Sequence, residues 1–426
     1  MKKSTKSKKS RQPRSPRASP RQQPRAVGSV IDLRREVREL LVAEIRASVA
    51  ETVNQLVADE VHDLVGDPWS RKGDSSLRRN GMITSTIFLD GEPHLLTRAR
   101  GSAIKIRGRN TPLQTVLALR SRDALDEDVK ARLVAGLSTR KYDGALTSIS
   151  EGLGLKKSAV SSAFRRAAQK DLDALNGRSL ADWTFAAIYI DGTSFAEHTC
   201  IVAMGLEIDG TKRILGVVEG ATENAELVRD LLENLQERGL ETTKRALFVI
   251  DGSEALRKAI RDVSGDRALV QRCQLHKRRN IESYLPPSRQ AEVRRRLNAA
   301  WGMSRYDDAL KELRRVHAWL KTISESAAAS LAEALEETLT VHRLGVTGAL
   351  RRTLVTSNPI ESANDVIKEN ARRVKRWNGS AMVLRWVGTG LVKAEAQFRR
   401  VKGYKQMKLF VAALENESLS EGKDVA

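Results

Sequence analysis

Much of what would mark a secreted or membrane protein is missing from this chain. Two cysteines in 426 residues cannot build a disulfide framework, which favours a reducing compartment. No apolar run approaches the roughly 20 residues of a membrane span. The first 27 residues, MKKSTKSKKSRQPRSPRASPRQQPRAV, contain no acid and no apolar core of the kind a secretory signal needs. Residues 288–355 contain no proline, so nothing there breaks a helix. Acids are also scarce overall: 53 Asp and Glu face 74 Lys and Arg, a net charge of +21. An excess of that size points to a polyanion partner, and nucleic acid is the usual one.

A chain this long exceeds one ordinary core, so several domains are expected. Residues 1–27 hold ten of the basic charges. With their proline and serine they read as a disordered basic arm, serving either as a solubilising tail or as a DNA contact. Residues 28–110 form an N-terminal region of helix and some strand. Ile31, Val37, Leu40, Leu41, Ile45, Val49, Val53, Leu56, Val57, Val61 and Leu64 keep helical spacing. They predict one long or two shorter helices with a face to bury, within the chain or against a second copy. Farther on, Asp90-Gly91 between two apolar runs predicts a hairpin turn.

Residues 111–180 are assigned to DNA binding. The stretch YDGALTSISEGLGLKKSAVSSAFRRAAQ (142–169) reads as a helix-turn-helix, with its turn at Gly152 and Gly154 and Ser158 capping the second helix. That helix would offer Ser161, Ser162, Arg165 and Arg166 to a major groove. A plain helical hairpin is the alternative.

Residues 181–285 read as β-β-β-α-β-α-β, three antiparallel strands followed by strands joined through helices. The segments are WTFAAIYID, TCIVAMGLEI, KRILGVVEGA, a helix over NAELVRDLLENLQERG, RALFVID, a short helix over SEALRKAIRDV, and ALVQRCQL. Residues 286–355 read as an all-helical insertion. Residues 356–426 open with a helix capped by Asn358, with Pro359 at its first position, and stay helical and basic.

Ile-Asp-Gly occurs three times in this core. Asp209 lies between apolar runs that can pair only if the chain reverses, so it reads as a turn residue with φ > 0 at both central positions. Asp191 and Asp251 instead follow strands apolar enough to be buried. A carboxylate ending a buried strand costs energy unless compensated. If the two strands are neighbours, both acids point into one crevice, and a divalent cation is the natural compensation. Asp251 or Ser253 could alternatively cap the helix that follows.

A third acid is expected, and SNPIESAN offers Glu361 in a first helical turn, where a capping glutamate would also sit. The face through Glu361, Asp365, Lys368, Arg372 and Lys375 places cations beyond the acids. Ile360, Ala363, Ile367, Ala371 and Val374 form the opposite, core-facing stripe.

Together, YIDG, VIDGSEAL, RCQLHKRRNI and NPIESAN, with LSTRKYDGAL before them, resemble the Mutator-type transposases of bacterial insertion sequences, over about residues 130 to 405. Residues 1–110 match poorly. The resemblance implies an α/β fold: a ribonuclease H-like mixed sheet interrupted by a helical insertion. It implies the catalytic and metal-ligating triad Asp191, Asp251 and Glu361 with two Mg²⁺ or Mn²⁺ ions, and it implies strand cleavage followed by strand transfer on double-stranded DNA. It also marks Cys273 and His276 as a Cys-x-x-His motif. One such pair is half a zinc site, and Cys200, His198, His317 and His342 show no matching spacing. His276 is therefore counted with the catalytic residues, supporting the acids or contacting DNA beside them, and Cys273 is read as a small buried side chain.

Phosphate contacts are assigned to Lys277, Arg278, Arg279, Lys368, Arg372, Arg373, Lys375 and Arg376. Synapsis of two ends implies a homodimer, and the setting implied is the bacterial cytoplasm at the nucleoid. The competing readings are a transposase-derived DNA-binding protein without catalysis, a nuclease of the same fold, and a recombinase using Tyr404. The last lacks a His-x-x-Arg companion.

Overall fold

The apolar residues of the N-terminal region do form one helix. α1 (Val30–Val65) runs for 36 residues, with Val53, Val57 and Val61 buried while Val37, Leu40, Leu41, Val49 and Leu56 stay exposed. The computed structural model describes residues 30–67, 77–89, 92–103, 113–120, 123–136, 157–220, 224–372 and 374–420. The basic arm, the Asp90-Gly91 turn, the first helix and turn of the helix-turn-helix, and Arg373 lie outside them. The chain divides into two compact units, the smaller comprising Met1–Ser85 and His94–Val116. Strands β1 (Leu77–Leu89) and β2 (Glu92–Ala103) pair as a two-stranded sheet. α2 (Gln114–Arg120) has its first N–H groups capped by the Glu60 carboxylate, at 2.6 Å from Gln114 and 3.0 Å from Thr115, which satisfies donors that no helix can satisfy itself.

In the larger unit, α3 (Asp123–Val134) packs on α4 (Lys157–Gly177) through Val129, Leu133, Val160, Phe164 and Ala168. α4 starts one residue before Ser158, so Ser158 lies inside the helix rather than capping it.

The main sheet has the order β5-β4-β3-β6-β7, with β3 (Thr184–Phe195), β4 (His198–Glu207), β5 (Lys212–Gly220), β6 (Glu241–Ile250) and β7 (Ala268–Arg272). β3–β4 and β4–β5 are antiparallel, while β3–β6 and β6–β7 are parallel. Side-chain alternation splits the sheet between two cores. Ile188, Ile190, Phe248 and Ile250 meet α5 (Ala225–Glu237) and α6 (Glu254–Ser264) on one face. Ala187, Tyr189, Leu247 and Val249 meet α13 (Asn358–Ala371), α14 (Ser380–Ala396) and α15 (Met407–Ser420) on the other.

The fifth strand is shorter than its apolar run predicts. It ends at Arg272, and Cys273 serves as N-cap of α7 (Gln274–Ser283). The insertion is helical as expected: α8 (Pro287–Gly302), α9 (Tyr306–Lys321), α10 (Glu325–Ala332), α11 (Thr340–Arg343) and α12 (Gly348–Leu354). Its own core closes at Leu339. Val341, Leu344, Leu350 and Leu354 already belong to the core under the sheet. Among the described residues no helix is long and apolar enough to cross a membrane.

Asp209 does sit in the β4–β5 reversal, where its carboxylate accepts the Thr211 N–H at 2.8 Å. The loop differs from the expected two-residue turn: only Gly210 has positive φ (+90°), and Gly210 N–H bonds Glu207 O at 2.9 Å while Glu207 N–H bonds Thr211 O. That is a three-residue loop with glycine at the left-handed position. A Cβ on Gly210 would lie 2.7 Å from Tyr404 Cβ. Gly210→Ala is expected to cost about 1–3 kcal/mol in urea unfolding. Gly177→Ala, whose added Cβ meets nothing within 4 Å, should leave stability unchanged or raise it slightly.

Candidate active site

The parallel register builds the site. Ile190 pairs with Ile250, and Ile250 with Arg272. The next residues, Asp191, Asp251 and Cys273, therefore follow one rung at the carboxyl edge of three adjacent strands, where ligands of such sheets gather. β6 and β7 stop there, and β3 continues, paired with β4 alone. Asp191 shares the face of Ala187 and Tyr189, the face covered by α13, which carries Glu361 and Asn364.

Asp191 is 7% exposed and accepts a hydrogen bond from Asn364 Nδ2 at 2.7 Å. Burial pushes its carboxyl up to about 7, and the charges of Asp251 and Glu361 push the same way, against His276 and the Asn364 bond. Asn364 is itself buried, and its Oδ1 has no partner among the described residues. Asp251 accepts the Ser253 N–H at 3.0 Å, while Ser253 Oγ caps α6. Of the two capping alternatives Ser253 is the one realised, and one Asp251 oxygen is spent on the turn that leads into the helix. Gly252 adopts φ +126°, and a Cβ there would meet the Arg272 guanidinium at 2.5 Å, so only glycine lets that arginine pack under the loop.

Glu361 stands in the first turn of α13, whose N-cap is Ser357 and not Asn358. Ser357 Oγ donates to Glu361 Oε1 and lies 3.2 Å from His276 Nδ1 and 3.3 Å from Cys273 Sγ. His276 Nε2 is 3.8 Å from Glu361 Oε1. The bond to Cys273 raises His276 to about 9 despite burial, helped by the Glu361 and Asp251 charges. Burial alone would lift the Cys273 thiol, but bonds from His276 and Ser357 draw it below its usual value. Cys273, His276 and Glu361 place ligand atoms within 4.8 Å of one another.

The expected DNA contacts divide. Arg165 is exposed, and Ser161 and Ser162 are half-buried. Arg166 is held by Asp126 through two bonds of 2.6 Å. Ser162, Arg165 and Arg166, with Gln169, Lys170, Asp173 and Arg385, line an open, mainly basic groove along α4, and Ser161 does not; Arg385, from α14, carried no sequence signal. Lys277 does not reach the surface. It is 1% exposed and donates to Glu333 at 2.7 Å, because its position on α7 faces the insertion. Arg278 is half-buried beside Asn298 and Glu282, while Arg279, Lys368, Arg372, Lys375 and Arg376 are exposed. α13 ends at Ala371, so Lys375 and Arg376 lie beyond the helix rather than on its face. Tyr404 packs on Gly210, whose loop bonds the beginning of β3 through Ile208 N–H and Thr184 O, at the end away from Asp191.

A family model described as "Transposase, Mutator family" matches residues 31–401. The chain is similar to the transposase for insertion sequence element IS6120 of Mycolicibacterium smegmatis, 25% identical over 62% of this chain and 83% of that protein. It is 27% identical to the transposase for ISRM5 of Rhizobium meliloti (strain 1021), over 68% and 72%. It is 22% identical to the transposase for IS256 in transposon Tn4001 of Staphylococcus aureus, over 84% and 93%.

Raising a carboxyl from 3.8 to about 7 means the folded state holds a proton that the unfolded chain has released between those values. Stability is then lost as pH rises through that window, by about 4 kcal/mol at most. Asp191→Asn removes this cost. In EDTA it should be stabilised over wild type at pH 8, less so at pH 5, and not below pH 4, as read from thermal melts.

Proposed function

The chain belongs to the Mutator family of transposases, and from that premise we propose that it is a DDE enzyme on a ribonuclease H-like core. It would cleave an element's DNA end and join that end to target DNA. The observation that carries this reading is the buried Asp191, whose proton affinity rises with the charges of Asp251 and Glu361 as well as with burial. Acids that repel each other at the edge of a buried sheet are compensated by cations, and all-oxygen carboxylate donors suit Mg²⁺ or Mn²⁺. Asp191, Asp251 and Glu361 would hold the ions. Bound there, divalent ions supply charge neutralisation at the scissile phosphate and activation of the attacking oxygen.

The chain's own groups do the rest. Asn364 fixes one Asp191 oxygen, and the other would be the one offered to an ion. His276, held protonated, sets a fixed cation beside Glu361 where a phosphate would otherwise meet only acids. In the first step a water oxygen bonds phosphorus as the P–O3′ bond breaks, freeing a 3′-hydroxyl. In the second, that hydroxyl attacks a target phosphorus and displaces the target's own 3′ oxygen. The groove along α4, with Arg165 and Arg385, would grip the element's end. The exposed Arg279, Lys368, Arg372, Lys375 and Arg376 would grip phosphates nearer the site.

Asp191→Asn, Asp251→Asn and Glu361→Gln are each expected to abolish Mg²⁺-dependent cleavage of the element's end while retaining end binding in a mobility-shift assay. Retained cleavage in any one removes it from the triad, and cleavage without joining in the wild type makes the protein a nuclease instead. Asp209→Asn should cleave normally. Arg165→Ala should weaken end binding and lower the salt slope by about one phosphate contact.

A further inference from the structure

We propose that Ser357 is a positioning residue whose hydroxyl, rather than a metal ion, ties the Cys-x-x-His motif to Glu361. The proposal rests on Glu361 being a ligand of the catalytic metal. Cys273, His276 and Glu361 have the chemistry and the spacing of an incomplete zinc site. The space among them, however, is taken. Ser357 is fully buried, and its Oγ lies within 3.3 Å of Cys273 Sγ and 3.2 Å of His276 Nδ1 while bonding Glu361 Oε1.

Proton counting gives the arrangement its direction. A hydroxyl has one hydrogen to donate and lone pairs to accept with. Glu361 can only accept, so the Ser357 proton serves it. His276 Nδ1–H then donates to Ser357 Oγ, and the Ser357 backbone N–H serves Cys273 Sγ at 3.3 Å. The donors run along the chain His276, Ser357, Glu361, with Cys273, which also bonds His276, holding Ser357 from behind. Cys273 is in turn fixed to the sheet, its N–H bonding Ile250 O at 2.8 Å. The hub therefore places Glu361 relative to the rung that Asp191 and Asp251 follow.

The helix gives up something for this. A serine at N-cap ordinarily spends its oxygen on a backbone N–H of the first turn, and Ser357 makes no such bond. Pro359 in that turn has no N–H, which lowers the demand for a cap and frees the hydroxyl for side chains.

The test is Mn²⁺ binding to the full-length protein without DNA, followed by electron paramagnetic resonance, alongside thermal melting and the zinc content of the purified protein. Ser357→Ala should weaken Mn²⁺ binding about 10- to 100-fold, and Ser357→Thr, which keeps the hydroxyl, should restore it to within a few-fold. Glu361→Gln serves as the reference. If Glu361→Gln binds Mn²⁺ like wild type, the reading of Glu361 as a ligand fails, whatever Ser357 does. If Glu361→Gln binds weakly but Ser357→Ala does not, the positioning role is overturned. A folded Ser357→Thr that fails to restore binding overturns it as well. So does one equivalent of zinc in the purified protein that Cys273→Ser removes, since a metal would then do the tying.

Discussion

Ile190, Ile250 and Arg272 share one rung of the parallel ladder, and the chemistry of the protein gathers one residue farther on. A parallel ladder fixes neighbouring strands so that residues following the same rung emerge together, and two residues per repeat send them to the same face. Asp191, Asp251 and Cys273 are brought together by that register before any side-chain bond is considered. A slip of one residue in β6 would turn Asp251 to the face of α5 and α6, and Val249 with it, so the apolar strands guard the position of the acid. α13 crosses the same face through Ile360, Ala363 and Ile367, which sets Glu361 and Asn364 over the rung.

Charge then shapes what the rung can do. Asp191 is nearly closed off from water, and the nearby acids raise its affinity for positive charge. Asn364 and His276 offset part of that repulsion, one by a hydrogen bond and one by its charge. The balance is incomplete within the protein alone, and the proposed function completes it with cations. A second charged cluster lies behind the Asp251 loop. Arg272 and Lys277, both buried, converge on Glu333 from the insertion, and Arg272 packs against Gly252. The two buried cations are spent on this structural contact with the exposed Glu333, which is why a lysine read as a phosphate contact is absent from the surface.

The sheet was legible because its strands are continuous apolar runs, and the Ile-Asp-Gly copy flanked by two pairing runs does reverse the chain. Asp209 turns the chain and Asp251 follows the end of β6, but Asp191 lies inside β3, which runs on to Phe195. The misread parts share one cause: side chains that act across the fold. SNPIESAN contains Ser357 and Asn364, four residues before and three after Glu361, so both share its helical face. Local reasoning assigned the cap to Asn358 and passed over the two residues whose partners, Cys273 and Asp191, lie far off in sequence. Arg385 was hidden for the same reason, since only tertiary packing brings α14 beside α4. The fifth strand was overextended because CQL is as apolar as a strand, and nothing nearby announces that Cys273 caps a helix.

The insertion looks like a long interruption between Cys273 and Glu361, yet it is a closed detour. Gln274 N–H bonds Val355 O at 2.9 Å, and Ser357 N–H bonds Cys273 Sγ. The chain therefore returns to within a residue or two of where it left the sheet. Between those points the insertion builds its own core from Ile281 to Leu339, and it is pinned again where Glu333 meets Arg272 and Lys277. Lengthening a loop whose ends are already stitched costs little, about 0.6 kcal/mol for each doubling. The placement of Glu361 is thereby insulated from the size of the domain that precedes it. What must be kept is the stitch, and the stitch is made by the Cys-x-x-His motif and the serine at the head of α13.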